Sequence, residues 1–311
     1  MDQGSVLGSF DPKHAALWGQ QPLKLEHNLH QSPLFSREAL AELIERYPRE
    51  HYSLVHMGAQ HERRLWREGE ISGLTGQEVM DAITIGRMWL NMRNVAEVDS
   101  RYKDLLDRLF DELAGQIPGF QTFNQHLGIL VSSPRAQVYY HADLPGQSLW
   151  QVVGRKRIFV YPKTTPFLAP EHLEGIALNG VEIDMPYADW YDEHALVFDL
   201  EPGQWLHWPL NAPHRVENLD SLNVSVTIEY WTDEIRRLHM VNVANGILRQ
   251  KLGMTPRGRI INGPGFWTKA VLQKVARQSG WLKRKRSARR PVDFRLDRLN
   301  PGNIVDLRAA S

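Results

Sequence analysis

This sequence predicts a mainly β domain with flanking helices, and three observations carry that expectation. Runs in the middle of the chain have strand character. Ala136-Gln-Val-Tyr-Tyr140 holds Val and paired Tyr, and Leu222-Asn-Val-Ser-Val-Thr-Ile-Glu-Tyr-Trp231 alternates as a strand should. Turn chemistry marks the chain between them, with the pair Pro202-Gly203 and an Asn at 211, a residue that tolerates left-handed backbone. Helix caps and helical spacing fall outside this central part.

Taken in order, Ser36 is an N-cap for a helix ending near Arg46, whose apolar residues recur at helical spacing. Thr75-Gly-Gln-Glu78 is a capping box ahead of Val79-Met-Asp-Ala-Ile83. Arg87-Met-Trp-Leu-Asn-Met-Arg93 reads as a strand, and a helix follows from about Ser100 to Leu113. The strand-rich core runs from about Gln121 to Trp231. Beyond it Thr232 caps a helix that Gly253 stops, and another spans Phe266 to Gly280. The expected organisation is an N-terminal helical and loop region over 1–120, with an early strand packing on the core. The β core follows over 121–232, and C-terminal helices with a basic tail occupy 233–311. No internal repeat or low-complexity tract interrupts it.

Length and composition narrow the classes. With 311 residues and 42% hydrophobic content, the chain suffices for one large domain or two small ones. It has no Cys, which excludes disulfides, thiolate metal sites and thiol nucleophiles. The start, Met-Asp-Gln-Gly-Ser, lacks the basic and apolar regions of a signal peptide, and no apolar run is long enough to span a bilayer. A cytoplasmic location is the default expectation.

The formal net charge of +1 hides a divided molecule. Between Ile235 and Val292 there is no Asp or Glu but there are 15 Lys and Arg; the rest of the chain carries 22 basic and 36 acidic groups, a net of −14. In the last helix Trp267, Val271, Leu272 and Val275 can share one side, with Lys269, Lys274 and Arg277 around it. Lys283-Arg-Lys-Arg286 and Arg289-Arg290 follow. Three readings compete for this segment: docking on the acidic remainder of its own chain or of a partner subunit, an anionic membrane surface, and nucleic-acid phosphates.

Chemistry-bearing residues gather in two segments, Val138-Tyr-Tyr-His141-Ala-Asp143 running on to Gln147, and Gly203 through Pro209 and His214 to Asn218. His-x-Asp alone is weak evidence. With 13 His and 17 Asp in 311 residues, roughly one such triplet arises by chance. His172-x-Glu174 is a rival pair, expected on a surface loop because Pro and Gly stud its surroundings. His141 follows a strand, where residues two apart share a face, so His141 and Asp143 can converge on one ion. The competing reading is a strand-end Asp solvating a turn beside a core His. His214, Val216 and Asn218 share one face of the second strand, against the alternative of a mere hairpin corner at Pro213-His214. Two imidazoles and a carboxylate on one face of an ion leave the other face open, as in non-haem Fe(II) oxygenases.

Together the two segments resemble the paired signatures of the cupin superfamily, with Asp143 for the second His, Gln147 for a Glu, and Asn211 where Gly is usual. The stretch from Tyr140 through Lys156 to Pro162 is similar to the JmjC and cupin-like branch of Fe(II)/2-oxoglutarate oxygenases, and the likeness covers roughly residues 85–255. It implies a double-stranded β-helix (jelly-roll, cupin-like) barrel with Fe(II) held by His141, Asp143 and His214. It also implies that Lys156, fifteen residues after His141, grips the far carboxylate of 2-oxoglutarate. A dicarboxylate that chelates a metal at one end needs a fixed cation at the other. Alternation puts Arg155 and Arg157 on the opposite face and leaves Lys156 with the inward set. Gln147 takes the place of a family Asn that lines the cosubstrate pocket, and Trp231 matches a Trp packed beside the distal His. Val138 departs from a family Thr that shares the cosubstrate carboxylate. Alternation then makes Tyr139, not Tyr140, the hydroxyl on the His141 side.

The function this resemblance implies is hydroxylation of an unactivated C–H bond, on a protein side chain or a small molecule, with 2-oxoglutarate and O2 consumed. C-terminal helices placed after the barrel often form dimer contacts in such relatives, so a homodimer through them is one expectation, while the sequence itself leaves the oligomeric state open. Two other classes stay open. One is a cupin-fold ligand-sensing or nucleic-acid-binding regulatory protein without oxygenase activity. The other is a metal-dependent cupin of different chemistry, such as an isomerase or a dioxygenase without cosubstrate. Lys156 discriminates against that last class, which has no use for a buried cation there.

Overall fold

The computed structural model describes residues 4–57, 66–180, 185–256, 258–279 and 291–307. Its helices are α1 (Pro12–Leu17), α2 (Arg37–Glu45), α3 (Gly76–Ile85), α4 (Val95–Val98), α5 (Ser100–Gln116), α6 (Pro170–Asn179), α7 (Asp233–Leu252) and α8 (Gly263–Gln278). Its first seven strands are β1 (Leu23–Glu26), β2 (Tyr52–Met57), β3 (Trp66–Glu70), β4 (Met88–Met92), β5 (Phe123–Ser132), β6 (Gln137–His141) and β7 (Gly146–Val153). The remainder are β8 (Lys156–Val160), β9 (Leu196–Leu200), β10 (Gln204–His207), β11 (His214–Asn218), β12 (Asn223–Trp231), β13 (Val292–Leu296) and β14 (Ile304–Asp306).

Local chemistry sets the helix ends. Ser36 Oγ accepts from Ala39 N at the start of α2, and Thr232 Oγ1 accepts from Ile235 N at the start of α7. The Thr75–Glu78 box closes in both directions at the start of α3. Each cap satisfies a backbone donor that the helix itself cannot, worth about 1 kcal/mol. Gly253 stops α7 with φ +65°.

Among the described residues ten strands form one sheet, in the order β1-β10-β7-β12-β5-β4-β2-β3-β13-β14, and four form a second, β6-β11-β8-β9. From β5 to β12 the chain keeps changing sheets: β5, β7, β10 and β12 lie in the large one, β6, β8, β9 and β11 in the small one. This is a double-stranded β-helix. Leu149 and Leu206 of the large sheet meet Ile158, Val160, Leu200 and Val216 of the small one in an apolar layer between them. The outer face of the large sheet, with Leu127, Ile129, Val226 and Ile228, buries against α2, α3 and α5 in a bigger core. Each such side chain contributes about 1.5–3 kcal/mol of transfer free energy. The sequence announced β4, but not that β1, β2, β3, β13 and β14 also extend this sheet.

One expectation is overturned. His172 and Glu174 lie on α6, not on a surface loop, because Pro170 suits the first helical turn and Gly180 ends the helix with φ +71°. Glu174 is buried there and takes Arg249 of α7 at 2.7 Å, with Arg259 at 3.6 Å; Arg249 also reaches Glu171 at 3.2 Å. Part of the basic segment is therefore docked on acidic groups of its own chain. The apolar side of α8 faces out: Trp267, Val271 and Val275 are exposed, while Phe266, Ala270, Gln273 and Ala276 are buried. Lys283-Arg-Lys-Arg286, Arg289-Arg290 and the end of the expected last helix at Gly280 lie outside the described residues.

Candidate metal centre

Antiparallel pairing of β6 with β11 sets His141 directly opposite His214, ring centroids 4.1 Å apart. Asp143 reaches the pair by a route the sequence did not suggest. β6 ends at His141, so Asp143 is on the connection that crosses to β7, and strand alternation does not aim it. Asn211 does. With φ +60°, the left-handed turn expected of it, Asn211 sends its amide Nδ2 to the Asp143 carbonyl oxygen at 2.5 Å. Asp143 Oδ2 then stands 3.3 Å from His214 Nε2, and Oδ1 3.9 Å from His141 Nε2. One donor atom from each of the three residues lies within 4.8 Å of the others, and this is the only such group among the described residues.

The electrostatics fit a cation. His141 Nδ1 faces the Tyr139 carbonyl at 2.7 Å and His214 Nδ1 faces the Ala212 carbonyl at 3.1 Å. Carbonyls only accept, so each Nδ1 carries the proton and each Nε2 presents a lone pair inward. That explains why Asp143 Oδ2 lacks a hydrogen bond despite its closeness to His214. Burial holds the His214 imidazolium well below its usual range and pushes the Asp143 carboxyl up, with His141 opposing the latter. A divalent ion reverses the second shift, since it favours the ionised carboxylate and needs neutral imidazoles. Trp208 packs against His214, centroids 4.5 Å apart, and shields one side of the cluster.

The other anticipated residues divide. Lys156 is 1% exposed on the inward face of β8, paired across the sheet with Asn218 of β11, while Val160 at the other end of β8 pairs with His214. Burial lowers its ammonium to about 7, and no described residue gives it a hydrogen bond or an anion. Arg157 turns outward to Asp199 at 2.7 Å and Arg155 to Glu201 at 3.3 Å, as alternation requires. Gln147 shares the inward face of β7 with Leu149 and is partly exposed.

Around Tyr139 simple alternation fails. Val138 pairs with Val216 but His141 with His214, so β6 has three steps where β11 has two. Tyr139 packs beside Val138 against Trp89 and Leu130, while Tyr140 points into an aromatic cluster and donates to the Phe167 carbonyl at 2.7 Å. A second register shift, between Glu229 and Trp231, turns Trp231 toward His239 of α7. The indole in ring contact with His214 is therefore Trp208, which sequence reasoning passed over inside the turn segment. Glu229 was missed too. It sits in β12 on the face opposite Val226, Ile228 and Tyr230, and a polar alternation Ser225, Thr227, Glu229 was the signal available.

Residues 21–236 match the family described as Cupin-like domain. The chain belongs to the cupin-like family. Among solved structures, this cupin-like chain is similar to ycfD of E. coli at 20% identity and a TM-score of 0.52, covering 89% of this chain and 70% of that one. YcfD, a ribosomal oxygenase from Escherichia coli, in complex with cobalt and 2-oxoglutarate gives a TM-score of 0.53 at 20% identity, with 88% and 67% covered. Its complex with cobalt and succinic acid gives 0.52 at 19%, with 90% and 70% covered. At such identity the likeness establishes the fold. No curated protein matches the sequence.

Proposed function

We propose that this cupin-like protein is an Fe(II)- and 2-oxoglutarate-dependent oxygenase that hydroxylates a protein side chain or a small molecule. The observation that carries the proposal is the pairing, within one barrel, of a three-donor cluster with a buried lysine to which no described residue offers an anion. His141, Asp143 and His214 would hold the iron, since two neutral imidazole nitrogens and one carboxylate oxygen are the donor set it takes with open positions. Bound iron with 2-oxoglutarate and O2 supplies the oxidising power for inserting oxygen into a C–H bond.

The chain's own residues do the rest. The Tyr139 and Ala212 carbonyls fix both imidazole tautomers, and Asn211 anchors the backbone at Asp143. Lys156 would take the far carboxylate of 2-oxoglutarate through a charge-assisted hydrogen bond in a site stripped of water. Gln147 and Tyr139 offer polar groups to the same pocket, and Trp208 takes the place beside His214 that the resemblance gives to Trp231. The cobalt, 2-oxoglutarate and succinic acid in the YcfD complexes support this reading.

The exposed stripe of Trp267, Val271 and Val275 on α8 supports a homodimer through the C-terminal helices. Anaerobic titration with Fe(II) and 2-oxoglutarate tests the enzyme reading: a weak visible charge-transfer band is expected, absent in His141→Ala. Full 2-oxoglutarate turnover by His141→Ala would overturn it.

A further inference from the structure

Asp143 lies beyond the last cross-strand pair of β6, so sheet pairing does not place it, and two other contacts hold the connection it sits on. Asn211 holds its carbonyl from the turn between β10 and β11. The second hold is on the outer face of the small sheet. Ala142, between the two donors, is fully buried in an aromatic cluster there, and Leu144 packs against the same cluster. Tyr140 enters it beside His141, 2% exposed, and its hydroxyl donates to the Phe167 carbonyl at 2.7 Å.

That cluster is built by the segment joining β8 to β9. Phe167 belongs to this segment, and so does α6, which adds Leu173 and Ile176. α6 is held in turn by α7. Arg249 donates to the buried Glu174 carboxylate at 2.7 Å, and a Cβ on Gly246 would stand 2.9 Å from the Glu174 carbonyl oxygen, so the helix backbones touch. Buried contacts therefore run from α7 through α6 and Phe167 to the two residues that flank His141. An apolar side chain in place of the buried Glu174 would serve stability as well. What the Tyr140 hydroxyl and the Glu174 carboxylate add is direction, since each ties its element to a particular atom of another segment.

We propose that Tyr140 and Glu174 are positioning residues of the metal centre, so that the seat of α7 on α6 sets how tightly the three donors take a metal. This rests on the reading of His141, Asp143 and His214 as metal ligands. Such donors need to be held within about 0.5 Å of their productive geometry. His141 has a strand to do this; Asp143 has the aromatic cluster on one side and Asn211 on the other. The C-terminal helices become a regulatory handle, because an event that loosens α7 lowers metal affinity without touching a ligand.

The test is Mn(II) titration of the full chain by calorimetry, with circular dichroism and urea midpoints to follow folding. Tyr140→Phe and Glu174→Gln should each weaken Mn(II) binding about tenfold, the low end for losing a group that orients a ligand. The double variant should lose less than the product of the two, because both act through the Phe167 contact. Tyr102→Phe is the control. Its hydroxyl donates to the Leu34 carbonyl at 2.7 Å in the large core, so its removal costs a similar bond while Mn(II) affinity should hold. Unchanged Mn(II) affinity in Tyr140→Phe or in Glu174→Gln, fully multiplicative losses, or an equal loss in Tyr102→Phe overturns the proposal. Should Glu174→Gln not fold, Glu174→Met takes its place and the same outcomes decide. If the wild-type protein binds no Mn(II), the metal-centre reading falls and takes this proposal with it.

Discussion

The two ends of the β8–β11 pair keep ionisable groups from water in opposite ways. At the Val160–His214 end, three such groups face one another around a common point, and His141 keeps access to solvent. At the Lys156–Asn218 end, a single ammonium is sealed at 1% exposure with no described partner. About 13 Å of strand separates them. The donor cluster can be satisfied by one small cation; the lysine, among the described residues, has no anion and would be satisfied by one that enters the barrel. On the proposed function, a barrel polarised this way would direct a dicarboxylate, with one end at the metal and the other at Lys156. The proposed function thus assigns metal and cosubstrate binding to separable sets of residues.

The largest effect should follow from breaking the cluster itself. His141→Ala is expected to weaken Mn(II) binding ~100-fold or more by calorimetry, since losing a ligand exceeds the penalty of losing a ligand's support. Lys156 should stay unaffected, as judged by an unchanged circular dichroism spectrum and melting behaviour. Second in size is Lys156→Met, which keeps the length of the side chain and removes its charge. Affinity for 2-oxoglutarate should fall about a hundredfold while Mn(II) affinity holds, because a charge-assisted bond is lost at one end only. The same variant should raise ligand-free stability by about 1–4 kcal/mol in urea, as an uncompensated buried charge gives way to an apolar group. Equal losses of metal and cosubstrate affinity would mean the two ends are not separable.

A pH dependence sharpens this point. Folding lowers the Lys156 ammonium from its ordinary 10.5 to about 7. Between those values the unfolded chain holds a proton that the folded chain has lost, so stability contributed by this group rises with pH across the window. Below about 7 both states are charged and the full penalty applies. Urea midpoints of the metal-free protein at pH 7 and pH 9 should therefore differ more in the wild type than in Lys156→Met. Identical slopes would show that Lys156 is solvated after all.

What the sequence could reveal tracks the range of the interaction involved. The caps at Ser36, Thr75 and Thr232 act within a few residues, and each is legible. The pairing of His141 with His214 followed from two signatures read together. The position of Asp143 was expected for the wrong reason, because a strand end and a contact to Asn211, 68 residues away, replace simple alternation. The extra sheet strands were hidden because edge pairing is decided by which backbones meet, not by local pattern. Glu229 was hidden differently: a polar face in an alternating strand reads as solvent-facing until a second sheet is known to cover it.

The Asn211 contact gives the smallest and most selective test of the separation between the two ends. Asn211→Gly preserves the left-handed backbone at φ +60°, which glycine adopts without strain, and removes only the amide that donates to the Asp143 carbonyl. The turn should still form, and β10 and β11 should keep their places. Asp143 would lose an anchor while keeping its carboxylate, so Mn(II) affinity should drop by about tenfold, the low end for losing a group that orients a ligand. Cosubstrate affinity measured at saturating Mn(II) should be unchanged, because Lys156 is held by β8 and does not depend on this turn. A drop in 2-oxoglutarate binding under those conditions would show that the crossing segment shapes the whole cavity. The metal end and the lysine end would then be one cooperative site, not two.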